Sequence, residues 1–347
     1  MKTFHTILYL IITFFVSAGI FIAYLSINSF GNSEIGGFSN MLEGTAFRPS
    51  IYRLLIPALA KAGTDFIPAR VVDLLENAPR ETIVVKAFHQ LSDGRYFREA
   101  IGALILIYIS LAGFVVVERA LLNDLGYSIE EQNVVPILLA VMALPLSVHF
   151  AYVYDLPQVF LFAVCILFLY RRNWTAYLAL LTISLLNKET SFFLIIIFAV
   201  YYFQNLARRE FTILLGAQFA IFVTLRAVIM YIFRNNPGVT IFWSTRYHID
   251  QYTKYPSTLI FTVILFGAIL FLMLKDWQRK PIFLRYASSV FPLTLILFFV
   301  AGMPMEFRIF LDVLPVFGIM LFPHQKTSQP LEDKVKPVLQ HGPPSNP

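Results

Sequence analysis

The sequence has 347 residues, of which 58% are hydrophobic and 14% charged, with a formal net charge of +6. An average soluble domain carries roughly 45–50% apolar and 25% charged residues, so a soluble fold, which has no means of hiding this much apolar side chain, is excluded. The Lys and Arg residues sit in short connections between apolar blocks and not along one face, which points to membrane orientation and away from nucleic acid.

The apolar blocks have the length that roughly 30 Å of hydrocarbon demands of a helix. Spans are predicted at 5–29, 100–122, 134–153, 156–170, 174–186, 191–204, 211–233, 257–274, 282–302 and 306–322. The fold class is therefore all-α, a polytopic transmembrane helical bundle of about ten spans. The first block follows Lys2 directly and has no small-residue cleavage site, so it is expected to be a retained span and not a signal peptide. The long segment 31–97 carries apolar residues at helical spacing beside charges, as in Ile51, Leu54, Leu55, Ala58 and Leu59 with Arg53 and Lys61. Amphipathic juxtamembrane helices are expected there, lying along the bilayer or packed on the bundle as a lid. A membrane domain over 1–323 is followed by a Pro-rich tail, 324–347, whose composition predicts disorder. The single cysteine, Cys165, allows neither an internal disulfide nor a cysteine metal cluster.

Counting off the spans places Lys2, Arg119, Arg171, Arg172, Arg208, Arg209, Lys275, Arg279, Lys280, Arg285 and Lys326 on one side. The positive-inside rule makes that side cytoplasmic, with both termini inside and segment 31–97 outside. The opposite connections hold Asp155, Lys188 with Glu189, and Glu306 with Arg308.

An ionisable group in hydrocarbon costs roughly 2.5–3.5 kcal/mol on insertion scales, so these positions are the functional candidates. Asn187, Lys188, Glu189 and Thr190 separate two apolar runs too short to cross the core, which predicts a tetrad dipping into a protein-lined cavity. The alternative is an interfacial turn in which Lys188 and Glu189 satisfy each other. Asp155, ahead of Pro157 and Gln158, fits a helix cap as well as a site. Arg226 interrupts its span and is expected to pair with Asp312 or Glu306 or to bind an anionic headgroup. Arg308 and Asp312, four apart, also fit an ordinary intrahelical ion pair. The connection 234–255, with Trp243, Arg246, Tyr247, His248, Asp250 and Tyr252, suits a sugar face or a solvated loop. His149, His248 and Asp155 lack close ligand spacing, so no metal site is assigned.

With Phe47 to Pro57 after the first span, Tyr154 to Gln158, Asn187 to Thr190, and Glu306, Phe307, Arg308, the chain resembles the GT-C class of integral-membrane glycosyltransferases. That resemblance implies horizontal helices and a catalytic acid in the first external loop, and a sugar donor carried on a polyprenyl phosphate. It implies transfer to a glycan or lipid acceptor of the cell envelope, on the outer face of a bacterial plasma membrane. Segment 31–97 lacks the paired acids found there in some families; Glu34 and Glu43 are the only acids between the first span and Arg48, so Glu43, with Glu34 behind it, is the expected base. Arg48, Arg53, Asp155, Gln158, Asn187, Lys188, Glu189, Arg226, Arg308 and Asp312 are the expected substrate-binding residues, with no cofactor beyond an optional divalent cation. Arg suits bidentate phosphate contacts. The rival from another class is a transporter or flippase of lipid-linked or small polar substrates, disfavoured by the absence of an internal repeat; a non-catalytic member of an envelope assembly is the third.

Overall fold

The computed structural model describes residues 2–28, 30, 36–148, 151–240, 243–304 and 306–323. Glu34, His149 and the tail 324–347 lie outside the described residues. Among the described residues every regular element is a helix, with no strand. Six helices, or helix pairs, among the described residues are long and apolar enough to cross a bilayer, which gives the chain the build of a multi-pass membrane protein.

After α1 (Lys2–Ile27) come four short helices of the long connection, α2 (Phe38–Glu43), α3 (Leu55–Ala62), α4 (Ala69–Glu76) and α5 (Ile83–Ser92). Then follow α6 (Phe97–Asp124), α7 (Ile129–Ser147), α8 (Asp155–Tyr170), α9 (Trp174–Asn187), α10 (Phe192–Tyr202) and α11 (Arg208–Ile232). The last group is α12 (Thr245–Lys254), α13 (Pro256–Leu274), α14 (Ile282–Ala287), α15 (Val290–Ala301) and α16 (Leu314–Met320). Span-length helices are α1, α6, α7, α11, α13 and the α14–α15 pair.

Helix α6 is the mast of the bundle, packing on α1, α3, α5, α7 and α8. Gly113 permits the α8 contact, because a Cβ there would lie 2.7 Å from the Phe160 ring. Apolar side chains on α1, α11 and α13, among them Phe15, Val223 and Phe271, face outward, the arrangement of helices solvated by lipid.

Helices α8, α9 and α10 have 16, 14 and 11 residues. At 1.5 Å per residue they measure about 24, 21 and 17 Å, short of the hydrocarbon thickness. They nonetheless alternate between the two ends of the bundle. At one end Asn187 Nδ2 donates to the Tyr154 carbonyl at 3.0 Å. At the other, Arg171 Nε binds Asp124 Oδ2 at 2.6 Å and Tyr202 Oη donates to the Leu169 carbonyl at 2.8 Å.

The expected final span, 306–322, is not one helix. Residues Phe307–Val313 form a 3-10 helix, and α16 adds only seven residues. Pro315 has no N–H to donate, and that suits the first turn of a new helix better than the middle of a long one.

Candidate functional site

Five stretches of chain, far apart in sequence, bring charged side chains together at one end of the bundle. Lys188, at the C-terminal end of α9, lies 3.5 Å from Asp155 Oδ1 and 2.9 Å from Asp312 Oδ2. Arg308 Nη1 lies 3.2 Å from Asp155 Oδ2, and its Nε donates to Glu306 at 3.1 Å. Arg53, just past the 3-10 turn Ser50–Tyr52, binds Glu189 Oε1 at 3.1 Å. Arg226 Nη2 donates to the Leu185 carbonyl at 2.9 Å and lies 3.9 Å from Glu189 Oε2.

Two tyrosines hold the halves together. The rings of Tyr152 and Tyr154 stack in parallel, 5.2 Å apart and 7° from coplanar. The Arg308 guanidinium lies 4.4 Å from the first ring and that of Arg53 4.4 Å from the second. Arg53 also donates to the Tyr154 hydroxyl. Arg is suited to such a place, since its planar cation stacks on an aromatic face and still offers edge donors.

Four cations (Arg53, Lys188, Arg226, Arg308) and four carboxylates (Asp155, Glu189, Glu306, Asp312) make the network neutral as a whole but uneven within. Asp155 and Asp312 are fully buried and engaged by Lys188 and Arg308. Glu189 keeps 37% of its side chain open and stands between two guanidinium groups. The buried Nε–H groups of Arg53 and Arg226 and the Oε2 atom of Glu189 have no hydrogen-bond partner among the described residues. The Arg53–Glu189–Arg226 junction therefore carries one positive charge in excess, with donors to spare.

Several expected pairings are corrected here. Lys188 and Glu189 do not satisfy each other: one turns to Asp155 and Asp312, the other to Arg53. Asp155 is not a side-chain cap of α8; its Oδ2 accepts the Tyr152 N–H at 2.9 Å. Arg226 meets Glu189 and not Asp312 or Glu306. Arg308 and Asp312 do not pair with each other, since 3-10 geometry, at three residues per turn, rotates a residue four positions on away from the first.

Gln158 and Asn187 form the layer behind the charges. Asn187 Nδ2 donates to Gln158 Oε1 at 2.9 Å, Gln158 Nε2 donates to Ser191 Oγ at 2.8 Å, and the Ser184 and Ser191 hydroxyls are 2.7 Å apart. Their amides are occupied in fixing the α8–α9–α10 junction, which makes them positioning residues.

Glu43 and Arg48 stand apart from the network. Glu43 Oε1 accepts from Tyr96 Oη at 2.8 Å and lies 2.9 Å from Arg95. The bond to this carboxylate raises the Tyr96 phenol above its ordinary range. Arg48 Nη2 donates to the Gly238 carbonyl at 2.7 Å, and the Arg48 N–H donates to the Pro237 carbonyl at 2.8 Å. Gly238 has φ +92°, and a Cβ on it would lie 2.7 Å from the Arg48 carbonyl, so this close approach requires glycine. Asn236 Nδ2 donates to the Gly44 and Ala46 carbonyls at 2.8 and 3.0 Å, completing the tie between the two connections. Glu43 thus sits near the end of α11, whereas Arg226 lies seven residues before Phe233, about 10 Å deeper along that helix.

Among the described residues no group of three or more His, Cys, Asp or Glu is placed to hold a metal ion. Sequence reasoning gave no weight to Tyr152; the aromatic pair two apart around Val153, next to an intramembrane Asp, was the available signal. No protein-family model matches the chain, and neither a curated protein nor a solved structure matches it.

Proposed function

We propose that this protein is a membrane glycosyltransferase that moves a sugar from a polyprenyl-phosphate-linked donor to a glycan or lipid acceptor of the cell envelope. The observation that carries the reading is the Arg53–Glu189–Arg226 junction: two largely buried arginines, each with an unpartnered Nε–H, on either side of one partly open carboxylate. Guanidinium forks match phosphate oxygens, and an excess positive charge in a poorly solvated pocket favours an anion.

The chemistry follows from that placement. The acceptor hydroxyl oxygen forms a bond to the anomeric carbon while the bond from that carbon to the phosphate oxygen breaks. The electron pair leaves on the lipid phosphate, which Arg53 and Arg226 stabilise, and the hydroxyl proton passes to Glu189. In the resting arrangement both cations favour ionised Glu189 and weaken it as a base. A lipid phosphate that engages Arg53 and Arg226 shares their charge and returns basicity to the carboxylate. Glu43, tied to Arg95 and Tyr96 at the rim, is assigned to the entrance and not to proton transfer.

On this reading α8, α9, α10 and the 306–322 segment complete about ten passes, the network faces outward, α3–α5 lie along the outer leaflet, and both termini are cytoplasmic in a bacterial plasma membrane. Cysteines placed near Glu43 and Asn236 in a Cys165→Ser background should react with a membrane-impermeant maleimide on intact cells. Cysteines near Arg172 and Arg279 should react only after permeabilisation, and the reverse pattern would invert the topology. The activity itself is tested with purified protein in liposomes carrying polyprenyl-phosphate sugars, where sugar should appear on an added acceptor. Movement of the lipid between leaflets without transfer would replace this reading with a flippase.

A further inference from the structure

A second polar feature runs through the other half of the bundle. The face of α1 that packs on α6 and α7 carries Tyr9, Thr13, Ser17, Tyr24 and Asn28, all buried, while Ile7, Leu8, Ile11, Phe15 and Ile22 face outward. Spacings of four, four, seven and four residues hold those five side chains on one face at 100° per residue. Helix α6 adds Glu118, with no solvent exposure, and Ser110, and α7 adds Gln132 and Ser147.

The depth of Glu118 follows from the antiparallel register of α1 and α6. Tyr108 Oη donates to the Phe14 carbonyl at 3.0 Å, and the Arg119 guanidinium lies 4.0 Å from the Tyr9 ring. Glu118, next to Arg119, is therefore level with Tyr9, six residues or about 9 Å inside the Asp124 end of its helix. At the far end of the seam Asn28 Nδ2 reaches Ser147 Oγ at 3.4 Å, and Tyr24 comes within electrostatic reach of Asp155 and Arg308.

Neither oxygen of Glu118 has a partner among the described residues, and the hydroxyls of Ser17 and Tyr24 have none either. The charged groups around that end of the bundle make their contacts elsewhere, although the Arg119 Nε–H has no hydrogen-bond partner among the described residues. Arg119 stacks on Tyr9, Asp124 binds Arg171 and accepts from Tyr170 through its carbonyl, and Glu131 closes the capping box with Ser128. Glu130, at the start of α7, is exposed. A bare carboxylate at such a place would cost several kcal/mol, which the protonated acid avoids. Buried polar groups without protein partners are ordinarily met by internal water.

We propose that Glu118 is a proton-binding site inside the bundle, reached through a hydrated seam of hydroxyl groups along α1. A proton arriving on a seam water passes to the carboxylate to give the neutral acid and leaves by the same water. The proposal does not depend on sugar transfer.

The test uses the full-length protein in lipid nanodiscs treated with dicyclohexylcarbodiimide, an apolar reagent that adds to protonated carboxyl groups. Peptide mass spectrometry should find label on Glu118 at about tenfold or more the level on Glu130 or Glu131, which water reaches and which stay ionised. A water-soluble carbodiimide should spare it. Infrared spectra of wild type and Glu118→Gln should differ by one protonated-carboxyl band, which in wild type shifts on mixing with D2O. Absence of label on Glu118 together with no band lost in Glu118→Gln would overturn the proton site. A band that stays unshifted for hours in D2O would overturn the seam, leaving a dry buried acid. Should Glu118→Gln fail to fold, the wild-type labelling pattern and its D2O shift decide both points.

Discussion

Glu189→Gln protein is expected to transfer sugar about 10²–10⁴ times more slowly than wild type at equal folded amount, the usual cost of losing a general base. Gln keeps the size of the side chain and can still accept from Arg53, so the pocket should stay assembled. Proton acceptance is lost together with the negative charge that offsets Arg53 and Arg226, which is why the comparison is made at equal folded amount. Glu43→Gln is the matched control: it breaks a surface contact with Arg95 and Tyr96 and should stay within a few-fold of wild type. The measurement is initial rate of transfer from a polyprenyl-linked donor, with lipid-phosphate binding followed separately. A full-rate Glu189→Gln enzyme beside an inactive Glu43→Gln enzyme would move the chemistry to the rim and remove the proposed role of the junction.

The largest expected stability loss is at Lys188. Its ammonium is 6% exposed and stands between two carboxylates with no exposure at all. Lys188→Met removes the cation and leaves Asp155 and Asp312 facing each other, with Arg308 the remaining close cation on Asp155. Breaking a buried pair by deleting one partner costs about 3–5 kcal/mol, because the other charge stays buried and unmatched. The loss should appear as a lowered unfolding midpoint in detergent. Adding Asp312→Asn to Lys188→Met should recover part of it, because the two residues are in contact and their effects do not add. Arg95→Ala, which breaks an exposed pair, should cost no more than about 1 kcal/mol. Equal losses in the two single variants would mean that the buried network contributes no more than a surface one.

Much of this site could be read from the sequence because charges are rare in apolar blocks. Once the spans alternate, Arg53, Asp155, Lys188, Glu189, Arg226, Arg308 and Asp312 fall at one end, and the structure joins them through shared contacts. Which charge meets which was not legible. Pairing depends on the rotation of each helix and on the 3-10 winding of Phe307–Val313, and neither leaves a mark in residue spacing. The division into span-length and shorter helices was only partly visible, since Ser191 to Gln204 is apolar throughout although α10 itself has 11 residues. Glu118 escaped notice because one acid inside a long apolar run barely changes its hydropathy. Its significance comes from the lack of a partner, which only packing reveals.

The order in which the network is synthesised sets a problem for the growing chain. When α11 has been made, Arg53, Asp155, Lys188, Glu189 and Arg226 exist, three cations with two carboxylates. Glu306, Arg308 and Asp312 arrive only after α12 to α15, and with them the count becomes four of each. The 3-10 segment that carries them packs against α7, α8 and α15, all of which precede it in the chain. It acts as a keystone. Until it seats, the cations at that end of the bundle outnumber the carboxylates by one.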